Sequence, residues 1–286
     1  MKKVAFILMA LVLAVGTQAC SYSGNYGFGS GKRVIGSNNY VTKEIRIDNF
    51  KHISVSGSAD VTYTQKSGRP KVEVYTSDNI VELLNIYVED NTLRIGFKKG
   101  YNISYKKLEV RVTSPTLNGI SIAGSADIDL VNGVKTDDFK LIIAGSADIN
   151  SPHTIDCTNS CDISIAGSGD IDANTLRCNQ LDITVAGSGD MTIKDAQVTN
   201  AKASVAGSGT VTIAGTVDTA EYSVAGSGDL NVSNFRARSV SARVTGSGDI
   251  RCHATEFLKA RTAGSGSIGY KGDPQLDLEK KGVYKL

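Results

Sequence analysis

The chain has 286 residues, with 31 Lys and Arg against 29 Asp and Glu, 30 Gly, four Pro and no Trp. Removing a leader that carries Lys2 and Lys3 leaves 29 basic against 29 acidic side chains, a near-neutral chain. That balance excludes the basic excess of a nucleic-acid binder, and no stretch after Ala19 approaches the roughly 18 to 20 apolar residues of a membrane-spanning helix.

Residues 1–19 read as a signal peptide: Lys2 and Lys3 form a positive start, and Val4 to Val15 is an apolar run too short to span a bilayer. Thr17-Gln18-Ala19 followed by Cys20 places the cut before Cys20 on either of two readings. The first is a lipobox, from which Thr17 and Gln18 depart because Leu and then Ala or Ser are commonest there. The second is an ordinary signal-peptidase site with small residues at the first and third positions upstream. Lipidation of Cys20 is the preferred expectation. The partner this implies is a membrane, reached through the lipid anchor of an outer-membrane lipoprotein on the cell surface or periplasmic face; without the lipid the protein is periplasmic or secreted. Residues 20–42 form the tether, since Ser21 to Asn39 is rich in Ser, Gly, Tyr and Asn with no apolar period.

Residues 43–117 alternate as strands at Lys43–Ile47, Ile53–Gln65, Lys71–Tyr75, Thr92–Phe97 and Lys107–Thr113, with one helical turn in Asp78–Leu84. The stretch from Pro70 to Leu117 has no Gly-Ser turn and reads as irregular early coils that cap an open end.

From residue 118 a repeat takes over. Counting one earlier copy, Gly-Ser recurs at Gly57, Gly124, Gly145, Gly167, Gly187, Gly207, Gly226, Gly246 and Gly264. Gly124 to Gly264 is 140 residues in seven steps, a mean period of 20. Apolar, mostly β-branched residues stand two before the glycine (Val55, Ile122, Ile143, Ile165, Val185) and four after it (Val61, Ile128, Ile149, Ile171, Met191). A spacing of two is strand periodicity with one face buried, and it excludes a helical-repeat solenoid. Glycine permits positive φ, and Ser and Asp bond to nearby amides, so Gly-Ser-Ala/Gly-Asp is a tight corner. The corner would serve either an antiparallel meander or a β-helix. Recurrence of the whole motif favours the β-helix, where stacking puts Ile on Ile and Gly on Gly about every 4.8 Å. The expected fold is all-β: a single-stranded parallel β-helix of 20-residue coils over residues 43–286. Its regular coils span 118–269 and a C-terminal cap spans 270–286, where Gly272-Asp273-Pro274 breaks the period.

The serial segments SVSGSADV, SIAGSADI, SIAGSGDI, TVAGSGDM and SVAGSGDL resemble the "putative auto-transporter adhesin, head GIN domain" family of Bacteroidetes lipoproteins, over roughly Ile45 to Leu286. The resemblance implies a right-handed, pectin-lyase-like β-helix at the cell surface or in the periplasm, with no known catalytic residues.

The remaining chemistry is sparse. Asp60, Asp127, Asp148, Asp170, Asp190, Asp229 and Asp249 form a column, read as carboxylates bonding their own turn amides or, as the alternative, holding calcium; Thr210 and Ser267 interrupt it, which favours the turn. The nine serines after the glycines lack the flanking pattern of a nucleophile elbow and read as a hydroxyl ladder. His52, His153 and His253 are isolated, so neither a zinc site nor a triad is expected. Cys157 and Cys178 lie ten and nine residues before their glycines, so neighbouring coils bring them within range of a disulfide; buried free thiols are the alternative. No catalytic residue, metal or cofactor is assigned. The functional expectation is a non-catalytic adhesin or surface scaffold for a glycan or protein ligand. The alternatives are a polysaccharide lyase or hydrolase, or a self-assembling structural protein.

Overall fold

The computed structural model describes residues 31–278 and 281–286; the signal peptide, Cys20 and the first part of the tether lie outside the described residues. The chain forms an all-β solenoid of about 8 turns. It begins with β1 (Lys32–Ile35) and β2 (Tyr40–Ile45), followed by β3 (His52–Gly57) and β4 (Asp60–Gln65). There follow β5 (Lys71–Ser77), α1 (Asp78–Val81), β6 (Leu84–Glu89), β7 (Thr92–Phe97), β8 (Tyr101–Ser104) and β9 (Leu108–Ser114). The regular coils are β10 (Gly119–Gly124), β11 (Ile128–Leu130), β12 (Val134–Gly145), β13 (Ile149–Gly167), β14 (Ile171–Gly187), β15 (Met191–Gly207), β16 (Thr210–Gly226), β17 (Asp229–Gly246) and β18 (Ile250–Gly264). The chain closes with β19 (Ile268–Lys271), β20 (Gln275–Leu278) and β21 (Val283–Lys285).

Neighbouring coils pair in parallel, in the register the repeat requires. Ile120 lies between Ile53 and Leu141, Ile122 between Val55 and Ile143, and Gly124 between Gly57 and Gly145. The register Gly167 on Gly187 on Gly207 on Gly226 then holds through the later coils. Within a coil the alternation is broken at three places, and these breaks are the corners. In β14 the inward residues are Ile171 and Ala173, then Leu176 and Cys178, then Leu181, Ile183 and Val185. Asn174-Thr175 and Asn179-Gln180 sit at two of the breaks, and Gly187 to Asp190 makes the third. One coil therefore presents three flat faces around a hydrocarbon column, and each fully buried Ile or Leu in it stabilises by about 1.5–3 kcal/mol.

The segment read as irregular early coils is built differently from that expectation. β7 runs parallel to β3 and β9 parallel to β4, which makes one coil-like layer. Beyond it the direction reverses: β6 is antiparallel to β7, β5 to β9, and β2 to β5. The reversal between β6 and β7 is a two-residue hairpin turn, Asp90-Asn91, with both φ values positive (50° and 58°); such turns match strand twist and tolerate Asp and Asn. The short helix falls at Asp78–Val81, inside the expected span. The tether ends sooner than residue 42, because β1 pairs in parallel with β8 as a separate two-stranded sheet and β2 joins the main one. These pairings use backbone groups, so they need no apolar period to announce them.

The C-terminal segment continues the solenoid by part of a coil. β20 pairs in parallel with β18, and β21 with β19. Leu276, Tyr284 and Leu286 are left exposed there.

Candidate functional site

The repeated corner is the most prominent polar feature, and its parts follow from stacking. Gly187 has φ of 140°, and a Cβ there would stand 2.1 Å from the carbonyl oxygen of Gly167 below it. Glycine is required both for the backbone conformation and for the closeness of the next coil. The amide of the following serine donates to the glycine carbonyl of the preceding coil: Ser188 to Gly167 at 2.9 Å, Ser208 to Gly187 at 2.8 Å and Ser227 to Gly207 at 2.9 Å. The ladder thus runs around the corner without a gap. The serine hydroxyls point outward from this column, so the ladder is carried by their amides.

The aspartates bond differently from the expected own-turn pattern. From Asp127 onward the carboxylate accepts from the amide at the same position of the next coil, as in Asp170 N–H to Asp148 Oδ1 (3.2 Å), Asp190 N–H to Asp170 Oδ1 (2.8 Å) and Thr210 N–H to Asp190 Oδ1 (2.7 Å). The main-chain carbonyls return the favour, with Ile149 N–H donating to Asp170 O and Ile171 N–H to Asp190 O. Successive corners are clasped in both directions. Where Thr210 replaces Asp the carboxylate acceptor is missing, and Asp229 N–H turns to the carbonyl of Gly209 instead (3.1 Å). The clasp resumes with Asp249 N–H on Asp229 Oδ1, and Ser267 closes it by giving both its amide and its hydroxyl to Asp249 Oδ1.

Asp127, Asp129, Asp148, Asp170, Asp172 and Asp190 line one shallow groove beside this column. Lys194 reaches Asp172 at 3.2 Å. At the start of the column, partial burial and then Asp127, Glu109 and Asp129 hold the Asp60 carboxyl above the ordinary carboxylate range. A second groove on another face contains Asp162, Asp182, Lys202 and Glu221; there burial pushes the Asp182 carboxyl up while Lys202 opposes it. Among the described residues, no group of three or more His, Cys, Asp or Glu side chains is placed to hold a metal ion. His52 lies on β3, His153 on β13 and His253 on β18. Burial, and then a neighbouring lysine or arginine, holds His52 and His253 below the usual histidine range.

The structure corrects the Cys157–Cys178 bridge. Cys157, Cys161, Cys178 and Cys252 are all free and buried. The two cysteines do come close, since they directly follow the paired residues Asp156 and Arg177 and the Cys157 thiol acts on that of Cys178, but they stay free thiols at a register shift, where three residues of β13 face two of β14 before Ser160 pairs with Gln180. Cys161, whose place the repeat left unexplained, bonds to Cys157, and this contact together with burial holds its thiol well above the usual range. Burial pushes the Cys178 and Cys252 thiols up to about 12. These are inert thiols rather than nucleophiles at neutral pH. Nothing in the repeat pattern marks Tyr222, whose fully buried ring fills the column between Ala203 and Ala242 and whose hydroxyl has no hydrogen-bond partner among the described residues.

A parallel solenoid with glycine corners stacked in register and carboxylate clasps between coils defines a class of repeat-built β-solenoid domains. Residues 49–160 and 153–274 match the family described as "Putative auto-transporter adhesin, head GIN domain", and the chain belongs to that family. No curated protein matches it in sequence. Among solved structures it is similar to a putative lipid binding protein from Parabacteroides distasonis, with 30% identity and TM-score 0.67, over 89% of this chain and 100% of that one. It is also similar to a putative adhesin from Parabacteroides merdae, with 26% identity and TM-score 0.70, over 90% of this chain and 100% of that one. A second putative adhesin from Parabacteroides distasonis has 26% identity and TM-score 0.69, over 89% and 100%.

Proposed function

We propose that this protein is an exported, lipid-anchored and non-catalytic scaffold of the cell envelope that binds a glycan or protein ligand as an adhesin. The observation that carries the reading is the fate of the repeated polar groups. Corner after corner commits its Asp carboxylate and Ser amide to the neighbouring coil, at even spacing, whereas an enzyme converges a few reactive groups on one point. Its solved relatives include putative adhesins and a putative lipid binding protein, which supports a surface role.

Attachment of cells that display the protein to glycan and protein arrays, compared with a strain lacking it, tests the adhesive reading. Attachment lost in the deletion strain is the expected outcome, and indistinguishable attachment counts against it. The anchor is tested separately by mass spectrometry of the mature N-terminus: a diacylglyceryl group on Cys20 is expected, and an unmodified Cys20 refutes it.

A further inference from the structure

Charge is not spread evenly along the solenoid. Asn118 to Glu221 holds fourteen acidic and five basic side chains, while Cys20 to Leu117 holds nine acidic and fourteen basic. The N-terminal excess is concentrated where the corner column begins. In β3 and β4 the chain turns at Gly57 and Ser58, but in the layer beneath them, made by β7 and β9, an excursion over residues 98–107 replaces the corner. A Cβ at Gly57 would consequently meet nothing within 4 Å, unlike the next glycines along the column.

The excursion holds Lys98, Lys99, Lys106 and Lys107, and no acidic residue occurs between Thr92 and Leu108. Its centre is β8, which pairs with β1 and so adds Lys32 and Arg33 opposite Tyr101 and Asn102. All six basic side chains are exposed. The lysine pairs flank a four-residue strand, about 13 Å long at 3.3 Å per residue, so they form a patch rather than a point. Two apolar side chains stand among them with little cover: Ile35 is 62% exposed and Tyr101 39%. The excursion is held in place, since Tyr105 packs on Phe97 and donates its hydroxyl to Ser58 Oγ at 3.1 Å. Two lysines of the patch also touch neighbouring groups, Lys98 Nζ on the carbonyl of Glu82 and Lys106 Nζ on Asn38 Oδ1. The Glu82 carboxylate is engaged by Lys43.

We infer that this N-terminal end is a docking surface for the anionic headgroups of a lipid bilayer, with Ile35 and Tyr101 entering the interface between them. Basic clusters bind anionic leaflets, and exposed apolar and aromatic side chains add interfacial partitioning. Placement singles out a bilayer as the occupant. The patch begins at Lys32, twelve residues after Cys20, so an anchored chain keeps it within about 40 Å of the membrane even when fully extended. One weak signal and one lipid together hold a protein far better than either alone. The inference rests on the anchored reading for its orientation, and its test is made independent of the anchor.

The mature chain from residue 20 carrying Cys20→Ser, which has no lipid, is sedimented with phosphatidylcholine vesicles with and without phosphatidylglycerol. Binding is expected at least about tenfold tighter to the anionic vesicles, with a steep loss as salt rises. Charge reversal with K98E, K99E, K106E and K107E together is expected to abolish that preference, and I35S with Y101S to reduce binding about tenfold while keeping the preference. Reversal at Lys259 and Lys271, near the opposite end, is the control and should leave binding unchanged. Circular dichroism establishes that each variant is folded; should the quadruple variant fail to fold, the K106Q, K107Q pair and the salt dependence of the parent carry the test. No preference for anionic vesicles, an unaltered preference in the charge-reversed chain, or an equal loss in the control overturns the inference. So does displacement by inorganic phosphate beyond that caused by chloride of equal ionic strength, which would mark a discrete phosphate site instead. Mass spectrometry of Cys20 stands apart from all these outcomes.

Discussion

The regular coils from Gly119 to Gly264 and the N-terminal end from Lys32 to Ser114 are joined in one sheet, β1 and β8 apart, but are ordered by different means. In the coils most residues have a counterpart one period away, and backbone, corner carboxylate and interior side chain are largely satisfied by repetition. At the N-terminal end there is no preceding coil to copy, so the chain turns antiparallel and covers the edge with β2 and β6. Repetition makes a position intolerant of change because each residue is also the floor of the next. Loss of repetition makes positions of the same sequence motif tolerant.

The sharpest break in that comparison is the glycine pair. Gly187→Ala is expected to destabilise by about 4 kcal/mol or more, since its Cβ would overlap a backbone oxygen that cannot move without shifting a coil. Gly57→Ala faces open space and should cost only the conformational strain of about 1–2 kcal/mol. Urea unfolding of both variants measures the difference, and equal losses would show that the conformation alone demands glycine. Next in size, Asp170→Ala removes the acceptor for Asp190 N–H and should cost about 1–2 kcal/mol. Asp60→Ala, at the column's edge, should cost less in the same denaturant series. With the opposite sign, Tyr222→Phe is expected to stabilise by about 1 kcal/mol, because it removes a buried hydroxyl without a partner; a loss of melting temperature would contradict this.

The smallest effect depends on pH. The folded-state pKa of Asp60 is raised, first by burial and then by Asp127, Glu109 and Asp129. Its unfolded form therefore ionises first, and the folded state is penalised as pH rises above about 3.8. Asp60→Asn should then gain a few tenths of a kcal/mol at pH 7, after allowance for solvent screening, and nothing at pH 3. Thermal melts at the two pH values read this out, and a gain at pH 3 equal to that at pH 7 would remove the electrostatic cause.

How far these differences were legible follows from the same contrast. The corner glycines, the inward columns and the parallel register were plain because a motif repeated every 20 residues averages out local exceptions. The other two corners were not, since their residues share no chemistry from coil to coil: Pro152-His153 in one and Asn174-Thr175 in the next. The repeat did place Cys157 and Cys178 on neighbouring coils, but it did not show the one-residue change of offset that begins at them, between Asp156 and Ser160. The antiparallel end left one legible sign, the Asp90-Asn91 pair between two alternating runs, which is hairpin chemistry. The direction of the Asp bonds was hidden because an own-turn amide and a next-coil amide ask for the same side chain. The lysine excursion was visible as composition, but its gathering with Lys32 and Arg33 depended on the β1–β8 pairing.

Because each coil is complete in itself and copies the one before it, the solenoid behaves as a ruler graduated in steps of about 4.8 Å. Duplicating or deleting a unit such as residues 188–207 lengthens or shortens the molecule by one graduation while leaving both ends untouched. Length along the solenoid axis is thereby open to adjustment in whole coils, without any redesign of the parts that begin or terminate the solenoid.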